Sequence, residues 1–345
     1  MPSLRKPPTV TVLMPVYNGE THITQAIFSI LSQSFEDFML LILNDGSTDK
    51  TADIISSFQD HRIEIINNPK NLGLAKTLNI GIENTDSPFI ARLDSDDISH
   101  YTRLEKQVDY LNSHPEIGLC GSHYCAFDEN NKEIVVKPPE SHHDILYALI
   151  FDNAFGHSTI MFRTEWLKRF RLAYNTNIRY AQDYELWVRM AANFRLANIP
   201  EALVRYRIHA KNISNEHHSE QKTAAEIISQ LHRNQLGMSP LAHDTEIHNM
   251  LVAMNFPADA DKLKDAGDWL SRLFYAAVFR CRQHPVSKLL EYNKWWYSAC
   301  GRNANLGIAT FLIYLSKPYG LLGHPKYTIK LLWRCLTKSA IPATN

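Results

Sequence analysis

Three aspartates stand within four positions, Asp94-Ser95-Asp96-Asp97, at the end of the apolar run Pro88–Leu93. Carboxylates spaced this way can hold a hard divalent cation. Mg²⁺ and Mn²⁺ favour oxygen ligands and commonly join one or two carboxylates to the oxygens of a bound phosphate. Two more polar clusters follow apolar runs in the same manner. Pro15-Val16-Tyr17-Asn18-Gly19 follows Thr9–Met14, and Asn44-Asp45-Gly46-Ser47-Thr48-Asp49 follows Phe38–Leu43. No GxGxxG comes after the first run and no GxxxxGK[ST] occurs anywhere. A dinucleotide-type Rossmann site or a P-loop is therefore disfavoured, and metal-held diphosphate is the alternative the acids offer.

The elements that must position these groups are legible from periodicity. Thr9–Met14, Phe38–Leu43, Ile63–Ile66 and Pro88–Leu93 read as strands. Between them, Glu20–Ser34 carries Ile23, Ala26, Ile27, Ile30 and Leu31 at helical spacing, and Asp49–Phe58 and Leu74–Glu83 read as helices. Such alternation predicts βαβ units around a mostly parallel, Rossmann-like α/β sheet flanked by helices. Ligands of an open sheet of this kind bind at the carboxyl ends of its strands, where all three polar clusters fall. Residues 115–212 mix short strands with helices at Ser141–Ile150 and Asp183–Asn193. Beyond Asn215 the chain turns helical. We expect an α/β domain over 1–215 and a helical region over 216–345.

The order and identity of the clusters resemble a family-2 glycosyltransferase of the GT-A fold, of the bacterial surface-polysaccharide type. The matching stretches are Pro15-Val16-Tyr17-Asn18, Ile30–Phe35, Asn44–Asp49, Asn71-x-Gly73-Leu74-Ala75 and Ile90–Asp97. Gly156–Thr159, Gln182–Trp187 and Arg205–His209 then follow in the same order. The resemblance implies an inverting transfer of a hexosyl or N-acetylhexosaminyl group from a UDP-sugar to a hydroxyl of a glycan or lipid-linked acceptor, in capsule, O-antigen or lipopolysaccharide synthesis. It implies a nucleotide-sugar site at Pro15, Val16, Tyr17, Asn18, Asp45, Asp94 and Asp96. It places Mn²⁺ or Mg²⁺ on Asp96, Asp97 and His209, and makes Asp183 the general base. A carboxylate opening a helix is expected to have a lowered pKa. Asn44 and Gln182 replace acids often found in the family, and the Lys76-Thr77 loop lacks a frequent arginine.

Composition bounds the alternatives. With 45% hydrophobic and 21% charged residues in 345, the chain is an ordinary globular protein. Five cysteines, odd in number and without metal-ligand spacing, argue against a disulfide framework or zinc finger. The start has no signal-peptide core and no apolar run approaches the roughly 18 residues of a membrane span. The expectation is a cytoplasmic protein, peripheral on the inner membrane. Net charge is zero, yet from Arg280 onward ten Lys/Arg face one acid, Glu291. Lys326, Lys330, Arg334 and Lys338 recur every fourth residue, a basic helix stripe suited to an anionic membrane surface. Nucleic acid has no recognition motif here. Two rival functions remain: a catalytically silent scaffold, and a nucleotidyltransferase, which needs a glycine-rich, arginine-bearing loop that Pro15–Gly19 does not provide.

Overall fold

The structure, a computed structural model, describes residues 6–130, 132–209, 218–238, 244–252 and 259–341. Residues 210–217, where the helical region was expected to begin, lie outside them. The chain divides into two compact units, 1–228 and 229–345.

Unit 1 is built on a nine-stranded sheet. Its strands are β1 (Val10–Val16), β2 (Phe38–Asn44), β3 (Ile63–Asn67), β4 (Phe89–Arg92), β5 (Ile98–Ser99), β6 (Ile117–Phe127), β7 (Glu133–Val136), β8 (Met161–Arg163) and β9 (Arg195–Arg207). They lie in the order β3-β2-β1-β4-β8-β6-β9-β5, with β7 on β6. The block β3-β2-β1-β4 is parallel throughout. All seven β1 residues are buried. A buried strand is why this segment reads as an unbroken apolar run, and each large apolar side chain it buries is worth roughly 1.5–3 kcal/mol. The one polar side chain in β1, Thr11, is satisfied by the hydroxyls of Thr85 and Ser87 at 2.6 and 2.7 Å.

Crossovers are supplied by α1 (Ile23–Leu31), α2 (Thr51–Ser56), α3 (Leu74–Glu83) and α4 (Arg103–Ser113). Helix α1 buries Ile23, Ala26, Ile27 and Ile30, the face its spacing predicts. The later part adds α5 (His142–Ala148), α6 (Thr164–Phe170) and α7 (Gln182–Ala191). Two antiparallel pairings matter for the site. β8 runs against β4, with Ala91 opposite Met161. β5 runs against the end of β9, with Ile98 opposite Arg205. Strand β9 is longer than its sequence suggests. Pro200 interrupts the pattern, and the register against β6 slips from Ser122↔Ile199 to His123↔Ala202, a bulge that absorbs the proline. His142 is half-buried and accepts the Leu196 N–H at 3.2 Å.

Helix α8 (His218–Gln235) crosses the division between the units. Unit 2 continues with α9 (Asp244–Val252), α10 (Ala260–Tyr275), α11 (Pro285–Arg302), α12 (Ile308–Leu315), α13 (Pro318–Leu321) and α14 (Pro325–Thr337). Asp259 caps α10 through the N–H groups of Asp261 and Lys262. Gly267 on α10 permits close packing, since a Cβ there would stand 2.8 Å from the Trp296 ring. No described helix is long and apolar enough to cross a membrane.

Candidate active site

Because β1, β2 and β4 are parallel neighbours, their polar sequels meet at one rim. Pro15 and Val16 lie buried at the end of β1, whereas Tyr17 and Asn18 emerge from it, Tyr17 being 49% exposed. Asn18 adopts a left-handed φ of 52°, and its Oδ1 accepts the Thr48 N–H at 2.8 Å. Its own N–H donates to Ser47 Oγ at 3.0 Å, so the loops after β1 and β2 are joined. Asp49 fastens them further, accepting from Thr51 N–H and Glu20 N–H.

Asp45 is nearly enclosed and accepts three hydrogen bonds. Asn68 Nδ2 and Leu72 N–H bind Oδ1 at 2.8 and 2.9 Å, and Gly73 N–H binds Oδ2 at 2.9 Å. It thereby anchors the 68–73 loop that leads into α3. A carboxylate has about four lone-pair directions, so roughly one remains for a ligand. Next to it Gly46 has φ 71°, and a Cβ there would come within 2.5 Å of the Lys70 backbone. Only glycine suits the position.

The acidic cluster is organised by residues far away in sequence. Arg92, 2% exposed, pairs through both guanidinium nitrogens with Asp94. The antiparallel β4–β8 pairing carries Ser158 to the same place. Its hydroxyl bridges Asp97 Oδ2 and Asp94 Oδ2 and accepts the Asp94 N–H at 3.1 Å. From the other side, β5 draws in the end of β9. Asp97 Oδ1 accepts the Arg207 N–H at 2.8 Å, and His209 Nε2 stands 2.9 Å from Asp96 Oδ2. Arg207 also donates to the Asp96 carbonyl and to Gln25 Oε1 on α1.

Asp94, Asp96 and Asp97 bring ligand oxygens within 4.8 Å of one another, the group among the described residues suited to a metal ion. Burial first, and then the charges of Asp96 and Asp94, push the Asp97 carboxyl well above its ordinary pKa. Burial also raises Asp94, with Arg92 opposing. Arg92 pairs with Asp94, and Arg207 and His209 approach Asp97 and Asp96, yet the three carboxyls still crowd one another, and a divalent cation would favour their ionised forms. The all-oxygen donor set, with one imidazole beside it, fits Mn²⁺ or Mg²⁺.

Asp183 sits in the first turn of α7, after Ala181 in a left-handed conformation at φ 62°. Its Oδ2 accepts from Asn153 Nδ2 at 2.7 Å. The expected helix-dipole lowering is overridden. Burial raises the Asp183 pKa, and hydrogen bonds from the Tyr184 backbone and Asn153, with the charge of Arg92, offset only part of that rise. The neighbouring His157 bonds Tyr174 OH at 2.8 Å, and burial, then Arg92, keeps it neutral. Trp187 is wholly buried against Phe155 and His157, a core residue.

Arg92 and Ser158 fall within the matching stretches, but nothing in their spacing assigns them a role. Asn153 carries no sequence signal at all, standing in an irregular loop.

Comparison with known proteins bears on the family and the fold. The family model described as glycosyl transferase family 2 matches residues 11–182. An uncharacterized glycosyltransferase of Haemophilus influenzae is 30% identical over 316 residues, covering 87% of this chain and 95% of that protein. The amylovoran biosynthesis glycosyltransferase AmsE of Erwinia amylovora is 32% identical over 202 residues, covering 57% of this chain and 75% of AmsE. Among solved structures, S. aureus TarS 1–349 in complex with UDP-GlcNAc superimposes with a TM-score of 0.54 at 18% identity, covering 95% of this chain and 89% of that fragment. At that identity the likeness establishes the fold.

Proposed function

The chain belongs to glycosyl transferase family 2, and on that premise we propose that it moves a hexosyl or N-acetylhexosaminyl group from a UDP-sugar to a hydroxyl of a glycan or lipid-linked acceptor. The observation that carries this reading is a single rim bearing both a cation-suited acidic cluster and a partly exposed carboxylate, Asp183, at a helix start. A surface polysaccharide is the product class, supported by the likeness to an amylovoran biosynthesis enzyme. The nucleotidyltransferase reading falls with the family membership.

In the proposed mechanism, Tyr17, Asn18 and the loop anchored by Asp45 receive the nucleoside, and the remaining lone pair of Asp45 Oδ2 takes a uracil N3–H. Asp96 and Asp97, with His209 beside them, would hold Mn²⁺ or Mg²⁺, which supplies Lewis-acid stabilisation of the departing diphosphate. The acceptor oxygen bonds to the anomeric carbon from the face opposite the diphosphate. Its proton passes to Asp183, the carbon–oxygen bond to the diphosphate breaks, and UDP departs with its electron pair. A single displacement inverts the anomeric centre.

Thermal unfolding with UDP, GDP, ADP and CMP, each with and without Mn²⁺, tests the donor assignment. UDP with Mn²⁺ at a hundred times its dissociation constant is expected to stabilise the protein by about 2.7 kcal/mol. Absence of a shift with any nucleotide would return the silent scaffold to first place.

We further propose that α14 meets an anionic membrane at the cytoplasmic face. The helix has three sides rather than two. Leu331 and Cys335 are buried in unit 2, while Ile329, Trp333 and Leu336 are exposed by 70%, 60% and 69%. Lys326 and Lys330 flank that exposed apolar strip. A solvent-facing helix would carry charge where these apolar side chains stand, and a tryptophan beside lysines suits a lipid headgroup region. Co-sedimentation with phosphatidylglycerol vesicles but not with phosphatidylcholine vesicles is expected. Each lysine near the surface is worth about 1 kcal/mol, so Lys326→Glu/Lys330→Glu should weaken binding by at least about tenfold. Equal binding to both vesicle types would refute the assignment.

A further inference from the structure

We propose that Asn153 is the positioning residue for Asp183, holding the carboxylate in its reactive orientation and ionised state. The inference rests on the reading of Asp183 as the general base. Its ground is a short relay of fixed hydrogen bonds. Asn153 Oδ1 accepts the Phe155 N–H at 3.1 Å, which leaves Nδ2 as the atom facing Asp183, and that nitrogen lies 2.7 Å from Asp183 Oδ2. The backbone bond removes the usual ambiguity between amide oxygen and nitrogen, because a reversed amide would set an NH₂ against the Phe155 N–H and an oxygen against a carboxylate.

The relay matters because Asp183 is only partly exposed and desolvation raises its pKa. Of the groups that act on it, Arg92 comes from β4 and favours its charge. Tyr174, from the loop before α7, is neutral and held by His157, its own pKa raised by burial. The α7 backbone gives N–H groups. Asn153 is the side chain with a recorded hydrogen bond to the carboxylate among the described residues. With Oδ2 clamped, Oδ1 is the oxygen that takes the acceptor proton, so the amide sets which lone pair faces the sugar. It also stabilises the anion against the desolvation that burial imposes.

The test uses the full chain labelled with ¹³C in its aspartate carboxyls. The Asp183 signal is assigned by its loss in Asp183→Asn and then titrated with pH in the unaltered protein, in Asn153→Ala and in the near-isosteric Asn153→Asp. Losing a charge-assisted hydrogen bond is expected to raise the Asp183 midpoint by about one unit in Asn153→Ala. In Asn153→Asp two carboxylates share the contact, and the second deprotonation of the pair is expected at a higher midpoint still. UDP release from the fastest of UDP-glucose, UDP-galactose and UDP-GlcNAc should fall about tenfold or more in Asn153→Ala, with UDP binding retained. An unmoved midpoint with unchanged UDP release would overturn the positioning role. If instead Asp183→Asn releases UDP at the unaltered rate, the base assignment itself fails, whatever Asn153 does.

Discussion

Asp183→Asn is expected to lower sugar transfer by about 10²–10⁴-fold, the range a general base contributes, while UDP with Mn²⁺ still raises the unfolding temperature as in the unaltered protein. The substitution keeps size and hydrogen-bonding shape and removes only the capacity to take a proton. Asn153 Nδ2 can still donate to an amide oxygen at that position, so the first turn of α7 has no cause to unravel. The pH dependence gives a second check. A base acts only when ionised, and burial holds the Asp183 carboxyl above its ordinary value of 3.8. Transfer should therefore be full above the raised pKa and decline as pH falls through it, with an acid limb above 3.8. Transfer by Asp183→Asn at the unaltered rate would remove Asp183 from the mechanism, and an acid limb below 3.8 would mean that another group controls it.

Arg92→Met is expected to be the most destabilising change at the site. The guanidinium is enclosed, pairs with Asp94 through two nitrogens and touches the Ser158 hydroxyl at 3.2 Å. Its carbonyl is in turn bound by Arg103, itself wholly buried. Removing one partner of a buried pair leaves the other charge uncompensated, at a cost of about 3–5 kcal/mol. Here Asp94 would lose its partner beside two further carboxyls, so Mn²⁺ should recover more stability in the variant than in the unaltered chain. Urea midpoints in EDTA and in Mn²⁺ measure both effects. A loss under about 1 kcal/mol, within the range of an exposed ion pair, would show that Arg92 does not hold the cluster together.

These two residues differ in how far they could be read in advance. Asp183 stands in a recognisable Gln-Asp-Tyr-Glu-Leu-Trp stretch that opens a periodic helix, so its element was legible and its role as base is what the resemblance proposes. Arg92 lies in an equally recognisable stretch, but an arginine inside an apolar strand carries no indication of its partner. Asn153 has neither a pattern nor an element to mark it. The pKa of Asp183 was read in the wrong direction for the same reason. The helix dipole is local and follows from position in the helix, whereas desolvation depends on what packs around it and outweighs the dipole here.

The C-terminal helix illustrates the same limit. Fourfold spacing of Lys326, Lys330, Arg334 and Lys338 predicts a helix with a basic stripe, and α14 carries the first three, while Lys338 ends it in a left-handed conformation at φ 52°. Periodicity alone cannot say which apolar residues the body covers. Packing selected Leu331 and Cys335 and left Ile329, Trp333 and Leu336 outside.

What the sequence by itself determined is therefore the local part. The apolar runs that become β1, β2 and β4 fix buried parallel strands, and the polar stretches after them fix a shared rim. Strand and helix periods act over a few residues, and parallel pairing then brings the strand ends together. Only the tertiary structure decided how the acids at that rim are held. Ser158 reaches Asp97 through the β4–β8 pairing, Arg207 and His209 arrive through β5–β9, and Asn153 comes to Asp183 from an irregular loop. Those contacts join residues 30 to 113 positions apart, where no period links one to the other and burial sets the charge each one carries.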